Sequence, residues 1–488
     1  MITPDFESFK KNYEYYERFC FYKELAGDLY TPIIMLMSNI YRDNIFLFES
    51  ADLHKKFSRY SFFGYSPEVV YICKNDKVIK ISGDFTTILK ENPFDIIKDH
   101  ILSKRTYYNA NFGSFAGGLV GFIGYDMINS TGFLRKNIKN VEKNDPVLAL
   151  MQIDNFFIAD NHKGKLYKTF VFEKTGDLSG DYTRAIEILN ISEENIIKSL
   201  PPQKRCISSK KAIKKDFDKK AYIEAVKALK DEIIRGEIIQ AVLSNRYVMD
   251  ADISAVDFYR LLRATNPSAY MFYLKFNGFT ICGASPETHL KVVRNKALLK
   301  PIAGTYPKKG PVKEIKRSLL SDEKECSEHL MLLDLARNDI SVYCEPFSVK
   351  VKKSFIPEFY SHVVHIVSEV EATLLKNTSP IDVFLATFPA GTVSGAPKVR
   401  AIELVDTFEV SPRGFYAGCC GYFSYNGNID TAIIIRSAYF DEEKIVMRAG
   451  AGIVYDSDPE REFYEIEHKL KALVESIERL KEENVFIN

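Results

Sequence analysis

The 488-residue chain contains no tryptophan, against 28 tyrosines and 35 phenylalanines. A protein translated when tryptophan is scarce gains from that omission, and a codon bias toward Lys, Ile, Asn and Phe would produce it equally well. Surplus charge is also missing: 66 basic and 65 acidic residues leave +1. That balance gives no electrostatic case for nucleic acid or an anionic membrane, so any anion must be held by local groups. The N-terminal stretch MITPDFESFKKNYEYYERF is charged throughout and has no signal-peptide core, and the apolar run Pro32 to Met37 is far too short to cross a bilayer. These absences predict a cytoplasmic protein that does not span a membrane. Metal-type CxxC pairs are absent too. The eight cysteines stand singly except for Cys419-Cys420, an adjacency poor for a disulfide framework, so they are expected to be reduced and packed.

What is present is acid in pairs. Glu325 with Glu328, and Glu462 with Glu465, lie three apart on predicted helices, so each pair shares a face. The first helix, SDEKECSEHLMLLDLARND, shows Cys326, Leu330 and Leu333 as its apolar side. The second opens at Asp458-Pro459 and carries Phe463, Ile466, Leu470, Leu473, Ile477 and Leu480 at alternating spacings of three and four. At 100° per residue, Glu462 falls on the edge of that stripe and Glu465 just outside it. Carboxylates so near a buried face need a partner, and four of them could hold a hard cation. A capping box from Asp322 to Glu325, and an acidic first turn at Glu460 and Glu462, satisfy the same pattern without metal.

Residues 1–198 mix strand-like runs such as IFLFES, EVVYICK and LYKTFVFE with short helices. The segment 199–217, with Pro-Pro, serines and clustered lysines, is expected to be a linker. From 218 to 488, amphipathic helices alternate with paired strands, and Phe276-Asn277-Gly278 and Tyr425-Asn426-Gly427 are hairpin signals. Consecutive hairpins predict an antiparallel α+β fold.

Along this second stretch run GEIIQAVLSNR, ASPE, KPIAGTYPKKG, SEHLMLLDLARND, YSHVVHIVSEVE, FPAGTVSGAPK, RGFYAGCCGYF, DTAIIIRSA and RAGAGIVYDSDPEREFYEIEHK, in that order. The series resembles the chorismate-utilising enzyme family, most closely the large subunits of anthranilate synthases. IFLFES, SRYSFFGYSP and GGLVGFIGYD resemble their regulatory half.

The resemblance implies two packed antiparallel β-sheets flanked by helices, with the active site in the cleft. It implies magnesium held by Glu328 and Glu465, with Glu325 and Glu462 one turn earlier as supporting or additional ligands. Glu287 of ASPE resembles the family's general acid, a role suited to a buried glutamate with a raised pKa. His365 resembles the histidine of the elimination stage, with Thr392 nearby; taken alone, a histidine in VVHIV is ordinarily a packed core residue. Gly304, Thr305, Tyr416, Arg436, Gly450, Ala451 and Gly452 are implied to contact substrate. Arg436 follows the apolar run Ala432 to Ile435, which suggests a strand aimed into the cleft, with a guanidinium able to clamp a carboxylate or to form a buried ion pair. His329 and His362 are read as structural.

Two positions report on the nucleophile. Relatives that add water place a lysine at the position of Gln240, and glutamine cannot act as a base. Aminodeoxychorismate synthases commonly carry a nucleophilic lysine where this chain has Ala303, so direct attack by ammonia is expected, with aminodeoxychorismate synthesis as the alternative. None of the cysteines has a glutaminase-type Gly-x-Cys-x-Gly setting, which calls for a separate glutamine amidotransferase subunit. Glu49 and Ser50, together with Ala269, Tyr270 and Met271 of NPSAYM, resemble a tryptophan feedback pocket in which Ala269 replaces the usual proline.

Overall fold

A computed structural model describes residues 2–27, 30–50, 59–74, 77–139, 145–191, 213–250, 253–308, 310–359 and 363–483. Its strands form two sheets, one of 14 strands and one of 12. The described pairings are antiparallel except that Arg18 and Phe19 run parallel to Thr106 and Tyr107. The α+β expectation therefore holds, and both hairpin signals sit where they were read. Phe276 pairs with Phe279 around a two-residue loop in which Gly278 has φ +89°, a value that favours glycine. The second turn joins Cys419–Ser424 to Ile429–Ile433.

Each sheet draws on both ends of the chain. In the larger, strand Ile45–Glu49 pairs with Tyr270–Phe276; in the smaller, Gly118–Ile123 pairs with Cys419–Ser424. Most of the segment read as a linker lies outside the described residues, but its end joins the larger sheet, where Lys214 and Lys215 pair with Val248 and Tyr247.

Side chains alternate along each strand and give two large core clusters, beside two smaller ones. On Tyr270–Phe276, residues Phe272, Leu274 and Phe276 point between the sheets and share a core with Val120, Phe122 and Leu290. Met271 and Tyr273 point the other way, toward Tyr222, Leu229, Tyr259, Leu262 and Ile466 of the covering helices. Complete burial of one such side chain contributes about 1.5–3 kcal/mol.

Two helices carry the paired acids. Asp322 caps Glu323–Ser341 by accepting from Lys324 N and Glu325 N at 3.0 and 3.1 Å. Its buried stripe is His329, Leu332, Leu333, Ala336 and Ile340, whereas Leu330 is 50% exposed. The expected stripe is thus rotated, because the helix packs on strands Ile302–Pro307 and Val363–Thr373 and not on the face that Leu330 marks. In the final helix, Pro459–Glu483, the residues Phe463, Ile466, Leu470, Leu473 and Ile477 are all buried, as the spacing requires. Among the described residues no helix is long and apolar enough to cross a membrane, and the seven described cysteines are free.

Candidate active site

The two helices place their acids face to face. Burial drives the Glu328 carboxyl up to about 7, and the like charges of Glu325 on its own helix and Glu465 on the final helix add to the effect. Glu462 is buried and also raised, by burial first and then by Glu465, against a hydrogen bond from Ser457. Glu465 is exposed and pairs with Lys469 at 2.7 Å. Among the described residues no three metal-type side chains are drawn into a ready-made cage. The donor set is nevertheless all oxygen and short of positive charge, which suits a hard cation that keeps its waters and needs one or two carboxylates.

Glycines bring the backbone up to these acids. A Cβ on Gly452 would stand 2.7 Å from Gln240 Nε2 and 3.8 Å from Glu328 Oε1, so a side chain here would push the Gln240 amide aside. A Cβ on Gly304, which has φ +68°, would stand 2.9 Å from Glu325 Oε2. The Gly304 carbonyl lies 2.6 Å from His365 Nδ1, so His365 and the helix acids meet across this residue. Thr305 follows in the same strand, Ile302–Pro307. The Gly450 carbonyl accepts from Lys469 Nζ at 2.9 Å, and a Cβ on Gly450 would approach the Tyr416 hydroxyl to 3.1 Å. Ala451 is fully buried in the helix-side core, so it offers the cleft its backbone alone.

Glu287 follows strand Phe279–Ser285 and is 8% exposed. Burial lifts its carboxyl to about 7, outweighing the Thr392 hydroxyl and the charges of Arg436 and Lys469, which favour ionisation. Thr392 Oγ1 is buried without a hydrogen bond of full geometry, although it is close enough to act on Glu287. Both residues line a cleft with Lys300, Leu332, Asp339 and Gly391. Gln240 is 3% exposed, and its Oε1 has no hydrogen-bond partner among the described residues, an unsatisfied acceptor at the site.

Arg436 departs from the strand expected for it. It lies between Ile429–Ile433 of the smaller sheet and Ser437–Phe440 of the larger, at the crossover, with φ +51°. A non-glycine residue in that region costs on the order of 1–3 kcal/mol, and such strain collects at functional sites. Its carbonyl accepts from Ala284 N at 3.1 Å, which ties the crossover to the strand leading to Glu287.

Contacts and charge couplings thus join Glu287, Thr392, Arg436, Gln240, Gly304, His365, Tyr416, Gly450, Gly452 and the four helix acids into one connected site. Lys469 was not read from the sequence. It touches Gly450 and Glu465, and its charge reaches Glu287, Glu328 and Glu462. Its signal was the spacing of four from Glu465, which places both on one helical face. His329 is fully buried with Nε2 2.6 Å from Ser368 Oγ, consistent with a structural role, and His362 lies outside the described residues.

Of the residues read as a tryptophan pocket, Tyr270 reaches the cleft lining through Thr288, whereas Glu49 and Met271 face the covering helices. Glu49 pairs across the ladder with Met271, so both face the helices, and Glu49 Oε1 accepts from Tyr259 OH at 2.7 Å and from Arg263 Nε at 2.6 Å. Tyr270 faces the other sheet, with its hydroxyl 3.0 Å from Thr288 Oγ1 and from Asp430 Oδ1. Ser50 and Ala269 flank the end of the ladder.

The family model for chorismate binding enzymes matches residues 44–475. The chain belongs to the chorismate binding enzyme family. It is 37% identical to anthranilate synthase component 1 of Acetivibrio thermocellus over 93% of this chain and 94% of that protein. It is 36% identical to anthranilate synthase component 1 of Aquifex aeolicus strain VF5 over 98% of both. The crystal structure of anthranilate synthase component I from Streptococcus pneumoniae TIGR4 superposes with a TM-score of 0.70 at 31% identity, covering 92% of this chain and 99% of that one. Membership of the family and the two-sheet α+β fold are thereby shown.

Proposed function

We propose that this chain converts chorismate and ammonia to anthranilate and pyruvate, the first step of tryptophan biosynthesis, as the lyase component of an anthranilate synthase. The observation that carries the reading is Glu287: a carboxyl buried in the cleft beside Thr392 and lifted by burial to about 7, so that about half of it is still protonated at neutral pH, as suits a general acid. It protonates the hydroxyl leaving ring carbon 4 while ammonia attacks ring carbon 2. Loss of the ring proton, taken by His365, and of the enolpyruvyl group, which ends as pyruvate, then gives the aromatic ring; the contact of His365 with Gly304 supports this role. Arg436, Lys469 and the glycine backbone at 450–452 receive the substrate carboxylates.

Glu328 and Glu465 would hold Mg²⁺, with Glu325 and Glu462 supporting; bound there, the ion would supply positive charge to a substrate carboxylate and to these like-charged acids.

Ammonia comes from a separate glutamine amidotransferase subunit. In support, Cys419 and Cys420 are buried in a strand with their thiols pushed up by burial, a poor setting for a nucleophile. The names of the similar proteins, component 1, agree with a partner. Tryptophan inhibits by binding near Glu49, Ser50 and Met271. The assay is incubation with chorismate, Mg²⁺ and ammonium. Fluorescent anthranilate with an equivalent of pyruvate supports the reading, whereas aminodeoxychorismate, isochorismate or unchanged chorismate contradicts it.

A further inference from the structure

Behind the cleft wall lies a buried ion network that this chemistry does not use. Glu409, Arg413 and Arg448 are 5, 4 and 2% exposed. Arg413 is its centre: Nε and Nη2 donate to the two Glu409 oxygens at 3.0 and 2.9 Å. The rest of the fork goes to backbone, with Nη1 donating to Val393 O at 2.7 Å and Nη2 to Val242 O at 2.6 Å. Both carbonyls belong to elements that carry the site. Val393 ends the turn Gly391–Val393 and adjoins Thr392, while Val242 stands opposite Gly452 and two residues from Gln240. Glu409 Oε1 also accepts from Ser244 N and Oγ at 2.8 and 2.6 Å, and Ser244 stands opposite Gly450.

The other side of Arg413 meets the first part of the chain. The Tyr125 ring centre lies 4.4 Å from its guanidinium. The next residue, Gly414, donates to Asp126 Oδ2 at 2.7 Å and accepts from Tyr125 N at 2.8 Å. Tyr125 and Asp126 therefore clamp Arg413 from outside while its fork grips the cleft wall from within.

We infer that Arg413 is a positioning residue that holds the Thr392 turn against the strands of Gln240 and Gly452, and that Tyr125 and Asp126 make the N-terminal part of the chain a working member of the active site. This rests on the reading of the cleft given above. Lysine cannot replace the fork, because a point charge with three donors cannot reach two carbonyls and both carboxylate oxygens in one plane.

The test uses the complete chain with chorismate, Mg²⁺ and ammonium, and compares pH profiles of kcat and KM for the wild type, Arg413→Lys, Thr392→Val, the double variant and Tyr125→Leu. Arg413→Lys is expected to lower kcat about 10²-fold, with KM within about threefold. It should also move the alkaline limb of the profile upward, because Glu287 loses the hydroxyl that favours its ionised form. Thr392→Val should give the same shift, and the double variant no more than either single change. Tyr125→Leu leaves the ion network intact, should show a smaller form of the same shift, and decides the matter if Arg413→Lys does not fold. A wild-type limb in Arg413→Lys or Tyr125→Leu, or losses that multiply in the double variant, overturns the relay. A wild type that makes no anthranilate overturns the cleft reading and the relay together; an active wild type with unshifted variants overturns the relay alone.

Discussion

Glu287 in the cleft and Glu409 in the network behind it are 8% and 5% exposed, yet burial carries Glu287 up to about 7 while Glu409 is held below the ordinary carboxylate value. For Glu409 the burial penalty is outweighed by the charges of Arg413 and Arg448 and by hydrogen bonds from Arg413 and Ser244. Glu287 has only the nearby charges of Arg436 and Lys469 and an imperfectly placed hydroxyl. Glu328 and Glu462 resemble Glu287, and like charges raise them further. Depth therefore does not separate working acids from structural ones. What separates them is whether the fold supplies the counter-charge or leaves it to a proton, a cation or a substrate.

The sharpest way to break that distinction is to remove an under-compensated acid. Glu328→Ala should lower Mg²⁺-dependent anthranilate formation by about 10³-fold or more and weaken Mg²⁺ binding in calorimetry. Full activity in this variant, or in Glu465→Ala, would remove the metal assignment. Glu409→Gln should act on the other side of the comparison. It takes from buried Arg413 its carboxylate partner, while Arg448 keeps Asp216, and should cost about 3–5 kcal/mol in urea unfolding.

Glu287→Gln separates function from stability within one residue. Turnover should fall about 10²-fold or more, because the proton donor is gone. Stability at pH 8 should rise, because the wild type must there bury an ionised carboxylate. The sign follows from linkage: the folded pKa is raised, so the folded state binds more protons than the unfolded, and stability falls as pH rises from the ordinary 4.5 to about 7. Glu409 has the opposite sign, since its lowered pKa contributes stability at neutral pH that is lost on acidification through its folded value. Urea midpoints of wild type and Glu287→Gln between pH 5 and 8 should therefore diverge upward in pH.

The smallest expected effect is tryptophan inhibition, with a coupling of about 1–3 kcal/mol that chorismate should return as weakened tryptophan binding. Calorimetry with and without chorismate and Mg²⁺ measures it, and unchanged inhibition in Ser50→Phe would reject the pocket.

Much of this was legible from spacing. The hairpin at Asn277-Gly278, the apolar stripe of the final helix, and Glu462 buried beside an exposed Glu465 all follow from local periodicity, and the structure has each of them. What was not legible depends on which element lies opposite. The stripe of Glu323–Ser341 turned away from Leu330 because two strands pack elsewhere on it. Arg436 could not be placed at a crossover while the run before it looked like an uninterrupted strand, and Lys469 carries no signal for its contact with Gly450, which belongs to a strand 19 positions earlier. The Arg413 network joins residues nearly 300 positions apart, as from Asp126 to Gly414, and no window on the sequence spans that distance.

Glu287 holds its proton up to about neutral pH because Arg436, Lys469 and the Thr392 hydroxyl offset only part of the cost of its burial. Difference infrared titration of wild type minus Glu287→Gln isolates the carbonyl stretch of that one protonated carboxyl. The band should disappear with a midpoint near 7; a midpoint at the ordinary 4.5 would mean that burial does not hold the proton on Glu287.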